Sequence, residues 1–363
     1  MRKKNSLLLA GFLLLACGVS AQDGTVKVLS SESQARDTSA ISAKAQEKYN
    51  LGVTAFEQKA YKDAAVQFSE AIAISPEFAK AYLNRGAANL ELKNIAAAKE
   101  DFQKAVSVDK TLHQASYELA ILAETENDAA KAIAFYGDAI TANASESKYF
   151  YRRALLHFAA KDMQRAKSDL DAAIALKKDF AFAYNDRGSV NRELGDLDAA
   201  VRDYQAAIVH DPKLIIAHNN LGSAYRKKGE FENAIKAYSE AIRADGNYYL
   251  AYNNRGYARF EKGDYEGAVK DFQEAVKIKK DYAFAYNNMA GAYLKMQKYQ
   301  EAVKACDQAI SFAADYGYAF YNRGVAYEML RELGKSCADW EKAADLGVGA
   351  AQTYFQNNDC SNQ

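Results

Sequence analysis

Asparagines recur at a fixed interval along this 363-residue chain. Asn220, Asn254, Asn288 and Asn322 stand 34 residues apart, and Asn50 and Asn84 fall on the same register. A second row, Asn185, Asn219, Asn253 and Asn287, keeps the same interval. A carboxamide offers two donors and an acceptor, so it can pair with both the N–H and the C=O of a bound main chain. A row of them would hold an extended peptide with little regard for its side chains. Beside the rows runs an apolar stripe, Phe182, Ile216, Leu250, Phe284 and Tyr318, and exposed apolar stripes mark interaction surfaces. The alternative role is local, each Asn bonding one helix to its neighbour. The stripe favours binding, so Asn84, Asn220, Asn254, Asn288, Asn322, Asn219, Asn253, Asn287 and the five apolar residues are the expected peptide site.

Catalytic chemistry finds no such constellation. His113, His157, His210 and His218 show no metal-ligand spacing, and no Gly-rich phosphate loop or GxSxG turn is present. No catalytic residue, metal, cofactor or small-molecule substrate is expected. Basic and acidic residues balance at 47 each. Loss of a leader carrying Arg2, Lys3 and Lys4 would turn the remainder slightly acidic, which argues against nucleic acid as a partner.

What must position these residues is a helix pair. Residues 249–282 place Tyr252, Gly256 and Arg259 on one face of a first helix. A turn at Gly263-Asp264 follows, and then a second helix with Ala268, Phe272, Ala275 and Val276 on one face. The unit recurs without insertion from Ala45, Ala79, His113, Ser147, Ala181, Ile215, Tyr249, Ala283 and Gly317, giving nine repeats over 45–350. Position 8 of each repeat is Gly or Ala. Position 20 is Ala except at Ser336, position 24 is bulky in most repeats, and position 27 is always Ala. A single hairpin of this length cannot bury a core, so each repeat must cover the next.

This signature resembles the tetratricopeptide repeat family over nearly the whole chain after the leader. The resemblance implies an all-α, right-handed superhelical solenoid of nine 34-residue helix-turn-helix repeats, with the first helices lining a concave groove. The Asn row resembles the ladder in the repeat region of O-linked N-acetylglucosamine transferase; only the ladder carries over. The clamp that some members use for C-terminal carboxylates is not expected. Lys148 and Arg152 match part of it, but no repeat has Lys at position 5. Arg85, Arg153, Arg187, Arg255 and Arg323 at position 7 share repeats with Asp101, Asp169, Asp203, Asp271 and Asp339 at position 23, which predicts ion pairs within repeats.

The termini add a setting. Arg2–Lys4 precede an apolar run from Ser6 to Ala16, too short for a membrane span, so residues 1–21 read as an export signal. Release after Ala21 is expected; the alternative is a lipobox that leaves a lipidated Cys17 as membrane anchor. The mature chain is then periplasmic or secreted, or a lipoprotein. Residues 22–44, rich in serine, form a flexible lead-in. Residues 351–363 cover the open end of the stack, helped by a Cys337–Cys360 disulfide in an oxidising compartment, while Cys306 stays a buried thiol. The expected function is a non-catalytic protein-interaction scaffold of a bacterial envelope that binds a protein or peptide segment. The alternative is an assembly subunit docking by its convex face or ends.

Overall fold

The computed structural model describes residues 41–357 and Cys360. The signal sequence, Cys17 and the lead-in up to residue 40 lie outside the described residues, as do Asn358, Asp359 and residues 361–363 of the expected cap. The described residues form nineteen helices and no strand. They alternate as first and second helices of the nine repeats: Ala43–Glu57 with Tyr61–Ile74, Ala79–Glu91 with Ile95–Val108, His113–Thr125 with Ala129–Ala142, Ser147–Ala159 and Met163–Leu176, Ala181–Leu194 with Leu197–His210, Ile215–Lys227 with Phe231–Ala244, Tyr249–Lys262 with Tyr265–Ile278, Ala283–Lys295 with Tyr299–Phe312, and Gly317–Met329 with Leu333–Asp345. Gly349–Asn357 closes the series. The first helix starts two residues before the repeat, because the Ser42 hydroxyl accepts from the Ala45 N–H and caps it. The helices fall into two compact units, one up to Ala160 and one from Lys161, divided between the two helices of repeat 4.

Within each unit one contact recurs. Position 8 lies directly under the ring at position 24. A Cβ built on Gly52 or Gly86 would come within 2.6 Å of Phe68 or Phe102, and one on Gly222 within 2.7 Å of Tyr238. Each of these rings is fully buried. The missing side chain on one helix is the hole for the aromatic knob on the other. Neighbouring repeats then share cores. Tyr82, Leu83, Phe102 and Ala105 of repeat 2 cluster with Leu112, Ala115, Leu119 and Leu122, while Phe272, Met289, Ala290 and Cys306 join repeats 7 and 8.

The turn inside each repeat has a requirement that the sequence states only in part. Position 15 is left-handed in all nine: Gly195, Gly229 and Gly263, but also Lys59, Lys93, Asn127, Lys161, Gln297 and Arg331. Left-handed backbone costs most L-residues roughly 1–2 kcal/mol, so packing of the two helices overrides local preference in the five repeats with Lys, Gln or Arg there, while Asn127 tolerates it. Asp at position 16 then caps the second helix. Asp128, Asp162, Asp196 and Asp264 accept from Lys131, Arg165, Ala199 and Gly267 N–H groups. The Gly-Asp pair is thus a turn residue followed by a cap.

The last repeat ends in its own cluster. Trp340 is fully buried among Cys337, Ala343, Val348, Ala351 and Cys360, and the Tyr354 ring of the final helix lies 5.2 Å from it. Cys337 and Cys360 are joined by a disulfide, with Cα atoms 5.4 Å apart. Cys306 is a buried free thiol, and burial pushes its pKa far above the ordinary range.

Candidate functional site

The rungs of the Asn ladder run between repeats. The Asn220 amide donates to Asn185 Oδ1 at 3.0 Å, Asn254 to Asn219 at 2.9 Å, Asn288 to Asn253 at 3.0 Å and Asn322 to Asn287 at 2.9 Å. In repeats 6–9 position 6 therefore bonds to position 5 of the repeat before. The same rung appears at the other end, where Asn84 Nδ2 donates to the Tyr49 hydroxyl at 2.9 Å.

This sorts the expected site residues. Asn185, Asn219, Asn253 and Asn287 are buried, so they serve as acceptors beneath the surface and cannot meet a peptide. Asn84 is fully buried and drops out of the expected set for the same reason. Asn220, Asn254, Asn288 and Asn322 stay partly exposed. Among the described residues each makes only its rung, which leaves one amide hydrogen and Oδ1 outside that bond. The local role of the row is thus met by one amide hydrogen of each side chain.

The apolar stripe also divides. Phe182 and Ile216 pack against the cluster of Ala181, Ala207, Leu214 and Ala217, and Leu250 is partly buried. Phe284 and Tyr318 are exposed at 38% and 48%. They belong to a chain of aromatic rings that also takes in Tyr249, Tyr282 and Tyr316. Tyr249 meets Tyr282 at 4.9 Å, Tyr282 meets Phe284 at 5.7 Å, Phe284 meets Tyr316 at 5.0 Å and Tyr316 meets Tyr318 at 6.4 Å. The linking tyrosines occupy position 34, immediately before the first helix. Asn287 donates its amide to the Tyr316 hydroxyl at 3.2 Å, so the aromatic row and the Asn row are one network. Burial pushes the Tyr316 phenol up to about 12, against the lowering effect of that bond. It is neutral at any physiological pH.

The position-7 arginines are structural, and they do more than the expected pairing. Arg85, Arg187, Arg255 and Arg323 each grip the buried Asp at position 23 through two nitrogens, Arg255 Nε at 2.9 Å and Nη2 at 2.7 Å from Asp271. Their remaining Nη1 reaches position 25 of the previous repeat: Ser69, Asp171, Ser239 and Asp307. One guanidinium thus fastens three helices. All three nitrogens of each guanidinium are engaged in these bonds.

In the first unit the same face is charged. Lys148 lies 4.8 Å from the centre of the Tyr117 ring, and Arg152 Nη1 donates to Glu124 at 3.2 Å. Glu118 faces both cations. Burial nevertheless raises its carboxyl to about 7, with Lys148 and Arg152 opposing that rise. Among the described residues no cluster of His, Cys, Asp and Glu could hold a metal, and no helix is long and apolar enough to cross a membrane.

Comparison with known proteins follows the same pattern. Family models described as tetratricopeptide repeats match residues 79–112, 219–283 and 259–320, and one described as TPR repeat matches 188–228. RNA polymerase II-associated protein 3 of Xenopus laevis is 42% identical over 64 residues, 18% of this chain. The chain spans only 10% of that relative. A tetratricopeptide repeat protein from Parabacteroides merdae superposes with a TM-score of 0.55 at 15% identity, over 68% of this chain and 98% of its own. The C-terminal part of a TPR repeat-containing protein from Cytophaga hutchinsonii gives 0.54 at 18% identity, over 65% and 98%. At those identities the structures attest the fold.

Proposed function

This chain is a tetratricopeptide repeat protein, and on that premise we propose that it is a non-catalytic scaffold holding an extended peptide segment along the first helices of repeats 6–9. One observation carries the reading. Asn220, Asn254, Asn288 and Asn322 present unspent amide groups at one per repeat, beside the exposed rings of Phe284 and Tyr318. Groups spaced in this way suit a main chain, whose donors and acceptors also recur. The setting proposed is outside the cytoplasm of a bacterium, in its envelope. Two features support it: the leader-like residues 1–21 and a disulfide, which persists in oxidising compartments.

The test is capture of the partner by the mature chain and by a Phe284→Ala/Tyr318→Ala variant, with Val209→Asp as control. Val209 is 75% exposed on a second helix. Loss of the partner with the double variant and its retention with Val209→Asp supports the site. The reverse pattern moves the binding surface to the second helices and ends this reading. The exposed rings are better probes than the Asn row, because removing an Asn also removes a rung between repeats.

A further inference from the structure

Arginine occupies position 12 in two consecutive repeats, Arg192 in repeat 5 and Arg226 in repeat 6. Arg226 shows what the position can do. Its Nη1 donates to the Glu261 carboxylate at 3.0 Å, and its guanidinium lies 4.9 Å from the centre of the Tyr257 ring. Both partners stand on the first helix of repeat 7, at positions 13 and 9. An arginine at position 12 thus reaches across to the next first helix and meets an acid there.

Arg192 has no such acid. Position 13 of repeat 6 is Lys227, and position 9 is Ser223. Yet its side chain is the more buried of the two, 8% exposed against 29% for Arg226. Its Nε is enclosed and has no hydrogen-bond partner. Among the described residues the one carboxylate near it is that of Glu193, 3.7 Å from Nη2, too far for a hydrogen bond. Burial raises the phenols of Tyr204 and Tyr238, and the Arg192 charge opposes that rise in both, so the cation sits beside the rings of both repeats.

A buried charge without a partner has given up hydration and gained nothing in return. Deprotonation is no escape for a guanidinium. An anion from outside the chain would complete the site. Lys227 is exposed and forms no ion pair among the described residues, so it adds a second positive charge at the register that Glu261 fills one repeat later. The Arg226–Glu261 pair indicates the chemistry of that anion. A carboxylate is flat and offers two acceptor oxygens to the guanidinium fork, and this fold already seats one beside the arginine of position 12.

We propose that Arg192 and Lys227 bind a glutamate or aspartate side chain of the segment held along the first helices, its carboxylate standing to Arg192 as Glu261 stands to Arg226. This rests on the extended-peptide reading above and carries it one repeat further, to repeat 5. The test is NMR of the mature chain labelled with 15N-arginine. The Nε–H signal absent from Arg192→Lys belongs to Arg192. Three probes are titrated at constant ionic strength: the capped peptide Thr-Val-Ala-Ala-Glu-Ala-Ala-Val-Thr, the same peptide with Gln for Glu, and acetate. The Glu peptide should shift the signal saturably, at about tenfold lower concentration than the Gln peptide or acetate, as expected of one charge-assisted pair. In Lys227→Glu the chain supplies its own carboxylate, so the shift should disappear and the Tm should rise above that of the parent. No shift, an equal response to the Gln peptide or to acetate, or an unchanged titration in Lys227→Glu overturns the assignment. Partner capture judges the groove separately. Capture lost in Phe284→Ala/Tyr318→Ala beside a silent Arg192 signal ends this assignment alone, and capture retained in that variant ends the groove reading.

Discussion

Adding one methyl group at Gly256 tests the contact on which the stack is built. The Cβ of Gly256→Ala would lie 2.8 and 2.9 Å from Cε1 and Cδ1 of the Phe272 ring and 3.1 Å from the Ala268 carbonyl oxygen. The ring is fully buried. Two terms oppose. Ala favours a helix over Gly by about 1 kcal/mol. Overpacking a filled core costs about 1–3 kcal/mol. The net expectation is a loss of up to about 2 kcal/mol. Phe272→Leu alone should cost roughly 1–2 kcal/mol through lost contacts. Combined, the smaller side chain makes room for the methyl group, so the double variant should recover about 1 kcal/mol of the summed costs. Repeat 8 already uses that solution, with Ala290 beside Cys306 in one buried cluster. The assay is equilibrium urea unfolding of the four proteins. Costs that add within about 0.5 kcal/mol would refute the idea that ring and glycine are matched.

Three further outcomes follow from the same geometry. Asn254→Ala strips the donor from the buried Asn219 Oδ1 and should cost about 1–3 kcal/mol in urea unfolding, where a purely ligand-facing Asn would cost nothing. Cys360→Ser opens the bridge across a separation of 23 residues and should lower stability by about 3 kcal/mol, an effect mimicked by reductant on the parent and absent in the variant. Glu118 has a folded pKa near 7 against 4.5 for the free side chain, so its contribution is fully present below pH 4.5 and is lost as pH rises to about 7. Glu118→Gln should therefore leave stability unchanged relative to the parent at acid pH and raise it above pH 7; a pH-independent difference would contradict this.

The repeat frame was legible because its signals are local and recur nine times. The small residue at position 8 and the ring at position 24 lie in one helical hairpin, and each repetition restates the pairing. The left-handed residue at position 15 was legible only where it is glycine. At Lys59, Lys93, Lys161, Gln297 and Arg331 the tertiary packing sets the turn, and nothing in the residue type announces it, whereas Asn127 is of a type that visits this region. The Asn rungs were legible as a bond between neighbouring helices, but their partners were not. Bonding partners lie 35 residues apart, in different repeats, so reading each repeat alone hides them. A signal was present: Asn at position 5 fills repeats 5–8 and Asn at position 6 fills repeats 6–9, displaced by one repeat. The same displacement hid the reach of Arg187 to Asp171 and of Arg323 to Asp307. Tyr249, Tyr282 and Tyr316 stand out in the sequence as tyrosines, but their contacts with Phe284 and Tyr318 cross repeat boundaries and show only in the structure.

The most direct test of the binding claim is site-specific photo-crosslinking in cells. A benzophenone side chain placed at Tyr318, among the exposed rings, is compared with one at Val209 on a second helix. The account predicts a crosslinked partner from Tyr318, located by mass spectrometry in a continuous extended segment, and none from Val209. A partner that crosslinks from Val209 and leaves Tyr318 unmarked would contradict it.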